Sequence, residues 1–265
     1  MGILNVTPDS FSDGGAFVDV DEALQHAENM ISEGADILDV GGESARPGSA
    51  AVSTPDEIGR VVPIILKLAN KFETPISIDT TKSEVAKAAI DAGAEIINDI
   101  SGLRFDDRIG EVAADTGAGL VLMHSRGAFD EMHAQPAVND IVSEVVNDLH
   151  RAVGIAIGCA VGEHQIVLDP GLGFGKTFEQ NLEILGNLDK IVAEFNQYPM
   201  LAGASRKSFI GKILGDVPAG DRLAGSLAAA IIAVRNGASI IRVHDVAPTV
   251  QALMVSKAID KRSNK

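Results

Sequence analysis

Asp79, Asn98 and Asp169 each close a short run of aliphatic residues, Ile76–Asp79, Ile96–Asn98 and Ile166–Asp169. A carboxylate accepts a paired N–H/NH₂ edge, and an Asn amide supplies one donor and one acceptor. This trio therefore suits a flat heterocycle with several N–H donors and ring nitrogens. Asn5, Arg242 and His244 end other runs and differ in kind. Two potential cations and an amide oxygen suit a phosphate or pyrophosphate with Mg²⁺. The remaining runs end in Asp39, His124 and the turn Ser205-Arg206-Lys207, and Asp99 directly follows Asn98. Capping or turn formation explains any one such residue. A polar or charged group after nearly every run asks for a shared site.

The segments that follow these residues add detail. The first run, Gly2–Asn5, breaks at once into a loop of hydroxyls and carboxylates that ends in Gly14-Gly15 and holds an isolated aromatic, Phe11. Asn5, Asp9 and Asp13 are oxygen donors of the type hard cations prefer. Asp169-Pro170-Gly171-Leu172-Gly173-Phe174-Gly175-Lys176 is no Walker A loop, because its Lys lacks the following Ser/Thr at the required glycine spacing. Its glycines let the backbone approach a planar ligand, with Phe174 as an apolar wall. Gly203-Ala204-Ser205-Arg206-Lys207-Ser208 gathers two cations and two hydroxyls at one turn. Gly41 to Gly48 forms a long loop with a single cation, Arg46.

Positioning these groups at one mouth requires a parallel sheet. Eight aliphatic runs qualify as strands: Gly2–Asn5, Ile37–Val40, Ile76–Asp79, Ile96–Asn98, Gly119–Met123, Ile166–Asp169, Met200–Gly203 and Ile240–Val243. Between them lie segments with helical apolar spacing: 21–33, 54–71, 83–92, 107–116, 139–157, 178–195, 221–236 and 247–260. Thr54 with Glu57 three residues on reads as a helix start, and Gly34, Gly93 and Gly237 as helix ends. Eight β-α alternations with nearly continuous apolar strands predict an α/β fold, a (β/α)₈ TIM barrel, in one domain spanning 1–265. A doubly wound open sheet is the rival. It rarely has eight units, and the glycine-rich dinucleotide loop it usually opens with is missing here.

Composition narrows the partners. A chain of 265 residues, 46% hydrophobic, can bury a full core. A net charge of −15 argues against nucleic acid or an anionic membrane surface. An anionic substrate must then be held by a local group of cations. A single cysteine, Cys159, permits no intramolecular disulfide and suits a reducing cytosol. No signal peptide is evident, and no stretch approaches the roughly 20 apolar residues of a membrane span.

The runs Gly2 to Gly15, Asp39 to Ser44, Arg46-Pro47-Gly48, Ile97 to Ile100, Leu168 to Gly171, Ser205 to Ser208 and Ile241 to Val246 together resemble the bacterial dihydropteroate synthases. The resemblance covers essentially the whole chain, with motifs in order at almost every strand end. It implies a cytosolic, Mg²⁺-assisted transferase of folate biosynthesis, usually a homodimer. Such enzymes join p-aminobenzoate to 6-hydroxymethyl-7,8-dihydropterin pyrophosphate and release pyrophosphate. Carried over by position, Asp79, Asn98, Asp169 and Lys207 would hold the pterin, with Met123 in its pocket. Asn5, Arg46, Arg242 and His244 would hold pyrophosphate, and Asn5 the metal. Phe11, Arg46, Pro47, Phe174, Lys207 and Ser208 would shape the p-aminobenzoate site, closed by loops carrying Asp9, Phe11 and Arg46. On this reading Asp13 is a loop residue without an assigned role.

Two features depart from the family pattern. Ala45 stands where the family commonly has Thr, which removes a hydroxyl near the pyrophosphate or p-aminobenzoate site. Most relatives also carry a segment before the first strand that covers the barrel floor. Here the sequence starts on that strand, which either exposes apolar residues at the amino-terminal face or reflects a trimmed N-terminus. Three other readings compete. A methyltetrahydrofolate-dependent corrinoid methyltransferase shares the pterin carboxylates and Asn but has no use for a pyrophosphate grip. A Schiff-base aldolase would use Lys207 as nucleophile. An idle pterin-binding module would not need the cations. Arg46, Arg242, His244 and the 205–208 turn favour the synthase.

Overall fold

A computed structural model describes residues 1–7, 20–44, 49, 51–129, 131 and 135–263. The expectations for Asp9, Phe11, Asp13, Ala45, Arg46 and Pro47 fall outside the described residues. Among the described residues, eight strands alternate with helices. They are β1 (Gly2–Asn5), β2 (Leu38–Gly41), β3 (Ile76–Asp79), β4 (Ile96–Asp99), β5 (Gly119–Met123), β6 (Ile166–Asp169), β7 (Leu201–Ala202) and β8 (Ile240–Ile241). Strands β1 to β6 pair in sequence order, all parallel, and β7 pairs with β8. Parallel bridges Leu168↔Met200 and Gly2↔Val243 join the two sheets at both edges. The ring is therefore closed, and the barrel expectation holds.

Side chains two apart on a strand share a face. Leu4, Val40, Ile78 and Ile97 are completely buried in the core, on the face that meets the helices. Their neighbours Ile3/Asn5, Asp39/Gly41, Ser77/Asp79 and Ile96/Asn98 consequently line the barrel. The register pairs Asn5 with Gly41, Gly41 with Asp79, and Asp79 with Asn98. That makes one row at the carboxyl end. Asp39 lies one layer beneath it, level with Ile3 and Ser77. At the opposite end a cavity of about 240 Å³ is lined by Met1, Ile37, Ile96, Val121, Val167 and Ile240.

The helices are α1 (Val20–Ser32), α2 (Thr54–Lys71), α3 (Ser83–Asp91), α4 (Arg108–Thr116), α5 (Ile141–Gly158), α6 (Phe178–Gly186), α7 (Leu188–Glu194), α8 (Ser208–Ile213), α9 (Leu223–Arg235) and α10 (Val246–Ser263). Three details correct the sequence reading. The cap of α2 is Ser53, whose hydroxyl accepts the Asp56 N–H, and Glu57 is buried in an ion pair with Lys82 at 2.5 Å. The segment 178–195 is two helices, broken at Asn187, whose side chain donates to the Glu183 carbonyl at 2.7 Å. A short helix, α8, follows the 205–207 turn, where the sequence reading placed none.

Candidate functional site

Arg242 stands at the centre of the barrel mouth. Its Nε donates to Asp39 Oδ2 at 2.6 Å and its Nη2 to Asp79 Oδ2 at 2.6 Å. Asn98 Nδ2 donates to the same Asp39 oxygen at 3.2 Å. Asp39 is wholly buried, and its Oδ1 has no hydrogen-bond partner among the described residues. The two groups separated in the sequence reading are thus one network. The guanidinium meant for pyrophosphate rests on a carboxylate meant for the pterin. Asp39 was recognised as a strand-end residue without a role, and the structure makes it the anchor of Arg242.

Electrostatics follow from one cation among several buried acids. Burial drives the Asp79 carboxyl up to about 7; Arg242 pulls it back, while Asp39, Glu57 and Asp99 push it further up. Burial likewise works against the Arg242 cation, but Asp39 and Asp79 overcome it and raise its pKa above the ordinary value. Asp169 is raised by burial against the pull of Lys207, and its Oδ1 accepts the Gly171 N–H at 2.7 Å.

Lys207 is brought down to about 8, chiefly by burial, with Asp169 opposing. Its ammonium donates to the Leu172 carbonyl and lies 4.4 Å from the centre of the Phe174 ring. That ring packs on a small cluster of Ile100 and Met123. Met123, Phe174 and Lys207 therefore meet at one side of the mouth, next to Asp169. Ser208 is exposed at the first position of α8. No contact among the described residues ties it to the cluster.

His244 is tied to the 205–207 turn. Its Nδ1 lies 3.1 Å from Ser205 Oγ, and its backbone N–H donates to the same hydroxyl. Ser205 thereby holds a residue 39 positions away, a partnership no spacing rule reveals. Three strand-end residues prove to be built into the frame. Asp99 is buried and accepts the N–H groups of Ser101 and Leu103 in its own turn. Arg206 forms a two-pronged pair with Asp245, at 2.9 and 2.5 Å. His124 is buried, and burial with Lys176 nearby brings its imidazole down to about 2. It is a neutral side chain.

No group of three or more His, Cys, Asp or Glu residues able to hold a metal occurs among the described residues. Asn5 fits a looser arrangement. A Cβ at Gly41 would lie 3.8 Å from both Asn5 Oδ1 and Asp79 Oδ2. The missing side chain leaves a cradle faced by the Asn5 oxygen, while Asp79 Oδ2 is taken by Arg242. Mg²⁺ keeps several waters and takes one or two protein oxygens plus substrate phosphates, so this donor set fits an ion that arrives with a diphosphate.

Residues 1–244 match the family described as pterin binding enzyme. A dihydropteroate synthase of Clostridium beijerinckii is 46% identical over 263 residues, covering 99% of this chain and 94% of the relative. A crystal structure of dihydropteroate synthase from Clostridium difficile in the presence of pteroic acid superposes with a TM-score of 0.91 at 44% identity, covering 98% of this chain and 95% of that one. The Xanthomonas albilineans dihydropteroate synthase with 4-aminobenzoic acid gives a TM-score of 0.91 at 42% identity, with 98% and 92% coverage.

Proposed function

The chain belongs to the pterin-binding enzyme family and, within it, to the dihydropteroate synthases; from that premise we propose that its barrel mouth condenses p-aminobenzoate with 6-hydroxymethyl-7,8-dihydropterin pyrophosphate. The products are 7,8-dihydropteroate and pyrophosphate. The observation that carries this reading is Arg242, a cation held among Asp39, Asp79 and Asn98 at the mouth of a protein of net charge −15. A pterin ring alone does not require it. A pyrophosphate does, and this disfavours the methyltransferase reading.

The pterin edge pairs with Asp79, Asn98 and Asp169, whose acceptors and donor match its N–H groups and ring nitrogens. Met123 supplies the apolar floor and Lys207 a further donor. As the diphosphate enters, its oxygens replace Asp79 on the Arg242 guanidinium, while Asp39 keeps the Nε edge and the orientation. The exchange frees Asp79 for the ring. The methylene C–O bond then breaks, and Arg242, with His244, stabilises the charge collecting on the departing oxygen. Asp79 and Asp169 stabilise the positive charge left on the pterin. The amine of p-aminobenzoate forms the new C–N bond, losing its proton to solvent. Phe174 and Ser208, with Phe11, Arg46 and Pro47, hold the aryl ring in line. No protein nucleophile enters, so Lys207 serves without a Schiff base. Asn5 would hold a Mg²⁺ ion arriving with the diphosphate, which would supply charge neutralisation of the leaving group.

The same reading makes the chain one barrel domain over 1–265, acting in the cytoplasm as a homodimer. No helix among the described residues is long and apolar enough to cross a membrane. Exposed Ile232 on α9 and Met254, Val255 and Ile259 on α10 support an apolar contact with a second copy. The site reading is tested by Arg242→Ala. Aryl-amine-dependent pyrophosphate release should fall by about 10²–10³-fold with the circular dichroism spectrum intact. Unchanged release would refute the assignment.

A further inference from the structure

Lys176 closes the glycine loop after β6, and the reaction above makes no use of it. Its ammonium donates to three backbone carbonyls: Gly171 at 2.7 Å, Phe174 at 3.0 Å and His124 at 3.2 Å. Two of these lie in the loop, and the third continues β5. An ammonium has three N–H donors and no acceptor, so the match is complete. The loop needs such a partner. Gly171, Gly173 and Gly175 all have left-handed backbones, with φ of 67°, 86° and 68°. A Cβ at Gly171 would run into the His124 carbonyl oxygen. With the chain wound this tightly, carbonyl oxygens converge, and a cation at their focus offsets their mutual repulsion.

Lys176 holds this place against its own hydration. Burial moves its pKa well below the ordinary lysine value, and the neighbouring Lys207 adds to the shift. Other bonds tie the loop's rim: Arg126 Nη1 donates to the Gly175 carbonyl at 2.9 Å, and the Gly173 N–H to Asn181 Oδ1 at 2.5 Å. Between these ties stands Phe174, whose ring faces Lys207 and the Met123 cluster.

We propose that Lys176 is a positioning residue for the aryl-amine half of the site, an internal staple between β5 and the glycine loop that sets the Phe174 ring. The assignment rests on the reading of Phe174 as the wall of the p-aminobenzoate pocket. Lys176 touches no reacting atom, and its effect reaches the substrate through Phe174.

Steady-state kinetics of Lys176→Met, Lys176→Gln and Phe174→Ala test it. Met keeps the length of the side chain and removes every donor, and Gln keeps an NH₂. The KM for p-aminobenzoate should rise about tenfold in Lys176→Met and less in Lys176→Gln. The KM for the pterin pyrophosphate and kcat at saturating amine should stay within about twofold to threefold. A uniform loss across both substrates, or an unchanged KM for p-aminobenzoate while Phe174→Ala raises it, overturns the proposal. An unchanged KM in Phe174→Ala refutes the pocket reading instead. Should Lys176→Met fail to fold, the same split measured in Lys176→Gln decides.

Discussion

Asp79 is where the opposing demands on single residues meet. In the proposed reaction it must be ionised to accept pterin N–H groups, yet burial places its pKa at about 7, with Arg242 opposing the shift. Lys207 must keep its proton to donate, and burial places its pKa at about 8. In the free enzyme, kcat/KM for the pterin pyrophosphate should therefore fall as pH drops through about 7 and again as it rises through about 8. Asp79→Asn should remove the acid limb and lower the plateau. A flat profile from about pH 6 to 9 contradicts these roles. The gathering of these residues at one mouth was legible in the chain, while the groups they hold belong to the proposed reaction. Asp79, Asn98, Asp169 and Arg242 each end an aliphatic run, and parallel strands bring such ends together. The role of Asp39 was not legible, because the Arg242 it orients lies 203 positions away. Pairings across barrel closure leave no trace in local spacing. His124 and Arg206 misled for the opposite reason. They occupy strand ends, but their environments, a buried pocket beside Lys176 and a pair with Asp245, turn them into framework.

At the scale of elements, the strands reproduced the aliphatic pattern closely, and Gly119–Met123 and Ile166–Asp169 match it residue for residue. The helix ends were less legible, since caps depend on single hydrogen bonds. Asp106, in the loop between β4 and α4, illustrates this. Its carboxylate accepts the Ser83 N–H at the start of α3, at 2.9 Å, and a two-pronged contact from Arg108. Burial alone would raise its pKa, but Arg108 and Ser83 bring it to about 2. A depressed carboxyl pKa means that the folded state binds fewer protons than the unfolded chain. The resulting stability is present above about pH 4 and disappears as pH falls through about 2. Asp106→Asn should cost about 1–2 kcal/mol in denaturant unfolding at neutral pH. The difference between variant and parent should close across that acid window. A difference that persists to about pH 2 would mean that charge is not what ties α3 to this loop.

For the molecule as a whole, the closed ring and its row of carboxyl-end side chains follow from eight short parallel strands. That architecture was legible because the β-α alternation is regular. What the chain did not disclose is whether α9 and α10 pack on a second copy, since apolar spacing in a helix reads the same whether its Ile232, Met254, Val255 and Ile259 face a partner or solvent. Sedimentation equilibrium at micromolar concentration should give twice the mass of 27.6 kDa, and Met254→Lys with Val255→Glu should halve it. A monomer in the parent protein contradicts the homodimer. The central claim concerns the whole reaction, and product analysis tests it most directly. Purified protein with Mg²⁺, 6-hydroxymethyl-7,8-dihydropterin pyrophosphate and p-aminobenzoate should form 7,8-dihydropteroate and pyrophosphate in equal amounts. Omission of p-aminobenzoate should abolish product. No dihydropteroate from the complete mixture would contradict it.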